Sequence, residues 1–123
     1  MDSKTTITFE GEYIFVQDSG ENSYEHSLDL WKNIAKACKE HECFKILGVS
    51  NMNSYLKTID AFKHVNIAKE AEITPDHKIA WVELNSDAFK SIKFIENVIF
   101  NRGLTQARTF LDVAKARKWL LEE

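Results

Sequence analysis

One cluster in this sequence has the residue types of a metal site. Cys38, His41 and Cys43 lie close together along the chain, and thiolate and imidazole are ligands that zinc prefers. A structural zinc site takes about four ligands, and no nearby residue completes the set. Cys38 also continues an apolar helical pattern, where a free cysteine behaves as a small hydrophobic residue. We therefore predict packing for Cys38, no metal and no cofactor.

Five other titratable side chains have types that acid–base chemistry uses. A histidine can act as a general base, and two carboxylates can work as a pair. No nucleophile elbow, phosphate loop or dinucleotide fingerprint accompanies them. We therefore predict no catalytic residue, no enzymatic activity, and solvated positions for His26, His64, His77, Glu83 and Glu96.

Two serines border a polar segment that follows the apolar run 44–50. The run is typical of a strand covered on both faces, and partners commonly bind at the loop that leaves the carboxyl end of such a strand. Phosphate is also favoured at a helix start, which makes Ser50 and Ser54 candidate phosphorylation sites. The alternative is that Asn53 or Ser54 only caps the next helix. The predicted partner-binding residues are Ser50, Asn51, Met52, Asn53 and Ser54.

Alternating and helical hydropathy patterns define the elements that would position these residues. Two antiparallel strands are predicted at 5–10 and 13–16, with a turn at Gly11 and a polar loop over 17–23. Further strands are predicted at 44–50, 78–84 and 106–111. Helices are predicted after Ser23, over 53–69, from 85 or 86 to about 102, and after the cap Asp112.

This order, β-β-α-β-α-β-α-β-α, predicts one α/β domain over residues 1–123. Strands that alternate with helices imply a mostly parallel sheet with right-handed crossovers. We expect a mixed five-stranded sheet with an N-terminal antiparallel hairpin strand, flanked by four helices.

The predicted third helix has a wider apolar face than one sheet requires. A small apolar ligand or a second copy of the chain could cover Phe89, Phe94, Val98 and Phe100. The three tryptophans lie on apolar patterns and are predicted to pack in the core: Trp31, Trp81 and Trp119. Five basic residues near the C-terminus are predicted to be solvated: Arg102, Arg108, Lys115, Arg117 and Lys118.

The bulk composition narrows the class of protein. The chain has 123 residues and a formal net charge of −3, whereas nucleic-acid binders usually carry a basic stripe. No basic and apolar leader opens the sequence, and no apolar run is long enough to cross a bilayer. Two cysteines without a secretion signal favour a reduced, cytoplasmic protein. We therefore expect no nucleic-acid partner and no integral membrane segment.

Three short motifs stand out in the second half of the chain: the strand 78–82, the helix end 101–103, and the closing strand and helix 109–120. They resemble motifs of the STAS family, the sulfate-transporter and anti-sigma-factor-antagonist domains, in its small stand-alone bacterial STAS/SEC14-like branch. The resemblance implies a non-catalytic regulatory module that binds a protein partner, or a SEC14-like carrier of an apolar or lipid-like ligand between the sheet and the third helix. Anti-sigma-factor antagonists carry an Asp-Ser-Ser-Gly-like motif, which is absent from 50–59, and Gly48 stands where the strand commonly has Asp.

Overall fold

The computed structural model describes residues 4–20, 24–52, 66–67, 69–87, 89–90, 93–94, 96–97 and 106–122. One sheet has the strand order β1-β2-β3-β4-β5. β1 pairs antiparallel with β2, and the remaining pairs are parallel. The prediction of a mixed, mostly parallel sheet with an antiparallel hairpin strand is therefore confirmed. The strands are β1 (Lys4–Phe9), β2 (Ile14–Gly20), β3 (Lys45–Met52), β4 (Lys78–Glu83) and β5 (Gln106–Phe110).

Two helices are bounded within the described residues: α1 (Tyr24–His41) and α2 (Val113–Leu121). They correspond to the first and last predicted helices, and Asp112 caps α2 as predicted, with Oδ1 accepting from the backbone N–H groups of Ala114 and Lys115. The other two predicted helices fall largely outside the described residues, so the count of four is not reached. Their described parts, 66–67, 69–70, 86–87, 89–90, 93–94 and 96–97, are helical.

The hairpin that opens the chain turns where it was predicted to turn. Gly11 has a φ of 93°, a region that residues with a Cβ rarely adopt. The N–H of Glu10 donates to the carbonyl of Tyr13 at 2.9 Å and closes the turn.

The two strands that end near the predicted contact loop are longer than predicted. The prediction of a loop over 17–23 is wrong in its first half, because β2 continues to Gly20. Likewise, β3 continues beyond its predicted end to Met52. Backbone pairing extends through both additions, from Gln17 opposite Val49 to Gly20 opposite Met52. Polar residues here lie inside a sheet, so their polarity does not mark a loop.

The sheet separates two apolar cores. The α1 face packs Ile14, Ile46 and Trp81 against Ile34 and Cys38 of α1. The α2 face packs strand residues against α2; its fully buried members are Leu47, Ala80, Val82, Ala116 and Leu120. The prediction of core packing is confirmed for Trp81, while Trp31 and Trp119 are half-buried against the two cores.

Candidate functional site

Strand register brings four polar side chains into one line across the sheet. Thr5 pairs with Asp18, Asp18 with Ser50, and Ser50 with Glu83. Residues directly opposite each other in a sheet point to the same side, so all four side chains lie on the α1 face. Their positions are near the carboxyl ends of the parallel strands. We call these four residues the polar row.

Asp18 is the first buried carboxylate of the polar row. The hydroxyl of Thr5 donates to its Oδ1 at 2.7 Å. Nε2 of His26 lies 2.8 Å from Oδ1 and 3.0 Å from Oδ2. Both distances are within hydrogen-bonding range. The prediction that His26 is a solvated surface residue is wrong, because its position in the first turn of α1 places the ring against Asp18.

Glu83 is the second buried carboxylate, and it is fully enclosed. The Ser50 hydroxyl donates to Glu83 Oε1 at 2.7 Å, and the N–H of Asn85 donates to Oε2 at 2.9 Å. Nε1–H of Trp81 donates to the same serine oxygen at 2.9 Å. Hydrogen bonds of this kind offset the cost of burying a carboxyl group. The predicted solvated position of Glu83 is therefore wrong.

Ser50 also departs from its prediction. It was placed at an exposed loop, but it lies within β3 with a side chain that is 1% exposed. Its hydroxyl donates to Glu83 and accepts from Trp81. The hydroxyl is thus shielded from solvent in this structure, while the roles of Ser50 as a phosphorylation site and as a contact residue stay predictions.

Gly48 determines where the Trp81 ring lies. The two residues pair directly between β3 and β4. A Cβ at position 48 would come within 2.1 Å of Trp81 Cε3, far below van der Waals contact. Glycine at this position thus has a physical reason: the indole occupies the space that a side chain would fill, and its Nε1–H reaches Ser50 two residues further on.

The same end of the sheet carries a shallow depression of about 300 Å³. Leu84 follows β4 there, and its N–H donates to the Ser50 carbonyl at 2.8 Å. Its side chain is 56% exposed, and Asn51 beside it is also exposed. Sequence reasoning assigned Leu84 only to a strand end and missed this exposure. We call this surface the edge depression; it is lined by Thr6, Gln17, Asp18, Ser19, Val49, Ser50, Asn51 and Leu84.

Glu96 is buried rather than solvated. Both the N–H and the hydroxyl of Thr109 donate to its Oε1, and the Lys93 ammonium lies 2.8 Å from Oε2. Glu83 and Glu96, the two carboxyl groups considered as a possible pair, are therefore each bonded to separate donors.

His77 is also buried, at the opposite end of the sheet from the polar row. Its Nδ1 accepts from the N–H of Thr74 at 3.0 Å, and the Phe44 ring meets it edge-on at 5.0 Å between centroids. Burial lowers the pKa of His77. The predicted solvated position is wrong for His77, and His64 lies outside the described residues.

The predicted packing of Cys38 is confirmed, because its side chain is fully buried in the α1 core. Cys43 is half-buried, and His41 is exposed with its ring stacked on Phe9 at 4.6 Å. No group of three or more His, Cys, Asp or Glu side chains in the described part of the chain could hold a metal ion.

The remaining candidate residues are partly described. Phe89 is half-buried and Phe94 is 37% exposed, while Met52 ends β3. The solvated positions predicted for four basic residues are confirmed: Arg108, Lys115, Arg117 and Lys118. Asn53, Ser54, Val98, Phe100 and Arg102 lie outside the described residues. The ligand and dimer roles of the third helix remain predictions.

No helix within the described ranges is long and apolar enough to cross a membrane.

Comparison with known proteins supports the fold. No family model matches the chain, and no curated protein matches it. The chain is similar in structure to an uncharacterised protein of the DUF3478 family with a SpoIIAA-like fold from Shewanella loihica PV-4. The TM-score is 0.54 and the identity 12%, with 96% of this chain and 93% of that chain covered. The chain therefore has a SpoIIAA-like fold, which is the STAS-like fold that the motifs predicted.

Proposed function

We propose that this protein is a non-catalytic, STAS-like regulatory module that binds a protein partner at the edge depression. The observation that carries the proposal is Leu84, a large apolar side chain that is 56% exposed at the carboxyl end of a mostly parallel sheet. Partners commonly bind at that end.

The composition of the edge depression supports a protein partner. Leu84 lines the edge depression together with polar residues, among them Thr6, Gln17 and Asn51. Protein interfaces combine a few buried anchors with a polar rim of this kind. A partner that covered Leu84 would remove it from water and could bond the neighbouring amides.

The polar row supports a structural rather than a catalytic role for the buried groups beneath this surface. The Ser50 hydroxyl and the Glu83 carboxylate, which most resemble reacting groups, are bonded to each other. Within the described residues, every buried side-chain nitrogen or oxygen has a hydrogen-bond partner. Satisfied polar networks of this kind fix one arrangement of a core.

The test is affinity capture from the cells that make this protein, with the wild-type chain and the Leu84→Asp variant as baits. A charge at the centre of an interface costs about 2 kcal/mol or more, so we expect at least one protein to be depleted roughly thirtyfold on Leu84→Asp. An identical set of captured proteins on both baits would contradict the proposal.

Leu111→Asp is the matched control. Leu111 is 63% exposed and does not line the edge depression. Substitutions at exposed positions such as these usually change folding stability by no more than about 0.5 kcal/mol. Equal loss of the partner on both variants would show a general effect of added charge and would also count against the proposed surface.

A further inference from the structure

The two cysteines of the chain lie on either side of the C-terminal end of α1. Glu42 follows the helix with a φ of 51°. Its N–H donates to the Lys39 carbonyl at 3.4 Å, and the N–H of Cys43 donates to the Cys38 carbonyl at 3.0 Å. This pair of bonds around a left-handed residue is a Schellman motif. The motif commonly brings together the side chains at the two positions that Cys38 and Cys43 occupy.

The backbone bond limits the separation of the two cysteines. Standard bond lengths, with the bend at the Cys38 carbonyl carbon, and the 3.0 Å N···O distance keep the two Cα atoms within an upper limit of roughly 6.9 Å. Disulfides usually join Cα atoms roughly 4.4–6.8 Å apart. Cys38 lies in the α1 core, and Cys43 packs against the same core. Both cysteines are free in this structure, and the backbone bond holds their Cα atoms close to the separation that a disulfide requires.

We propose that Cys38 and Cys43 form a reversible disulfide and act as a redox modification site, with a low-molecular-weight disulfide such as glutathione disulfide as the oxidant. The Cys43 thiolate attacks one sulfur of glutathione disulfide, which forms a mixed disulfide and releases one glutathione thiolate. The Cys38 thiol then loses its proton, attacks the Cys43 sulfur and releases the second glutathione. Two protein thiols are oxidised, and one glutathione disulfide is reduced to two glutathione molecules.

Exposure determines the order of the two steps. Cys43 is half-buried at the surface, with Sγ 3.6 Å from the Glu12 carbonyl oxygen and 3.8 Å from that of Lys45. Cys38 has no exposed surface. Burial, together with the nearby Cys43, raises the pKa of Cys38 to about 12, so few molecules carry its thiolate at neutral pH. The second step is therefore slow, and the mixed disulfide on Cys43 accumulates first.

The experiment incubates the whole protein anaerobically in glutathione buffers of defined ratio, traps free thiols with an alkylating agent, and measures intact masses. The native chain should first gain one glutathionyl group on Cys43. It should then take up no alkyl label and be about 2 Da lighter than the unlabelled reduced chain, since two hydrogens are lost. The Cys38→Ala variant should stop at the adduct, and the Cys43→Ser variant should give neither product.

The control measures the same thiol–disulfide equilibrium in concentrated urea, where the chain is unfolded. The comparison shows whether the folded chain holds the two thiols closer together than the unfolded chain does. A native structure that holds the thiols together should raise the equilibrium constant for the disulfide by roughly tenfold or more. An equal or smaller constant in the native protein would overturn the proposal, and so would a disulfide that joins two chains. The comparison uses the wild-type chain, so it stands even if the Cys38→Ala variant does not fold.

Discussion

The contact between Gly48 and Trp81 makes the sharpest stability prediction. Glycine inside a strand normally costs about 0.5–1 kcal/mol relative to alanine, so Gly48→Ala would stabilise an ordinary strand. Here the added methyl group would lie 2.1, 2.2 and 2.8 Å from three carbons of the Trp81 ring. The ring has to move by more than an ångström, and we expect the sign of the effect to reverse.

The surroundings of the ring give the magnitude. Trp81 is held by its bond to Ser50 and by the Trp31 ring, 5.3 Å away between centroids. Overpacking a core costs about 1–3 kcal/mol, and loss of the indole hydrogen bond adds about 0.5–1.5 kcal/mol. We therefore expect Gly48→Ala to lower the free energy of unfolding by about 2–4 kcal/mol.

Urea denaturation followed by circular dichroism measures this change, with the m-value showing whether unfolding remains two-state. The specific control is a double-mutant cycle with Trp81→Leu, which removes the ring. In that background Gly48→Ala should cost less than 1 kcal/mol, or should stabilise the strand. A small cost in the wild-type background, or an equal cost in both, would refute the reasoning.

Three further predictions concern the helix ends and one histidine. Glu42→Gly should raise the free energy of unfolding by about 0.5–1 kcal/mol, because glycine removes the strain of a positive φ; Glu42→Ala should give no gain in the same urea titration. Lys78→Met should cost about 1–2 kcal/mol, because the Lys78 ammonium donates to the carbonyls of Trp119 and Glu122 at the end of α2; the exposed Lys115→Met is the matched control, and equal costs would contradict this role. The pKa of His77 is lower in the folded than in the unfolded chain, so the unfolded chain binds the proton more readily. Stability should therefore fall as the pH drops below about 6.5. This fall should be smaller in His77→Gln, measured by urea titrations from pH 7.5 to 5, and identical pH profiles would count against a buried neutral His77.

Hydropathy periodicity was sufficient to predict the five strands, but neither their order in the sheet nor the polar row. Alternation located β1 and the start of β2, and the apolar runs located β3 and β4, because those signals are local. Asp18 and Glu83 look like surface residues in a sequence, since burial of a carboxylate depends on donors from other strands. Those donors become apparent only once the register places Thr5, Asp18, Ser50 and Glu83 side by side.

The error at His26 has the same origin. Its neighbours along the chain are polar, and a helix start is usually solvated. The ring is instead directed at Asp18, eight residues earlier in β2, a contact that sequence spacing does not reveal. Leu84 was missed for the opposite reason, since an apolar residue that closes an apolar run is typical of a buried strand end.

Native mass spectrometry of the protein, purified gently from its own cells, tests the central claim most directly. We predict that the wild-type chain and Leu111→Asp retain a second polypeptide, and that Leu84→Asp is recovered without it. A chain that instead carries the added mass of a small apolar molecule, with no polypeptide partner and no effect of Leu84→Asp, would contradict the account and favour a carrier.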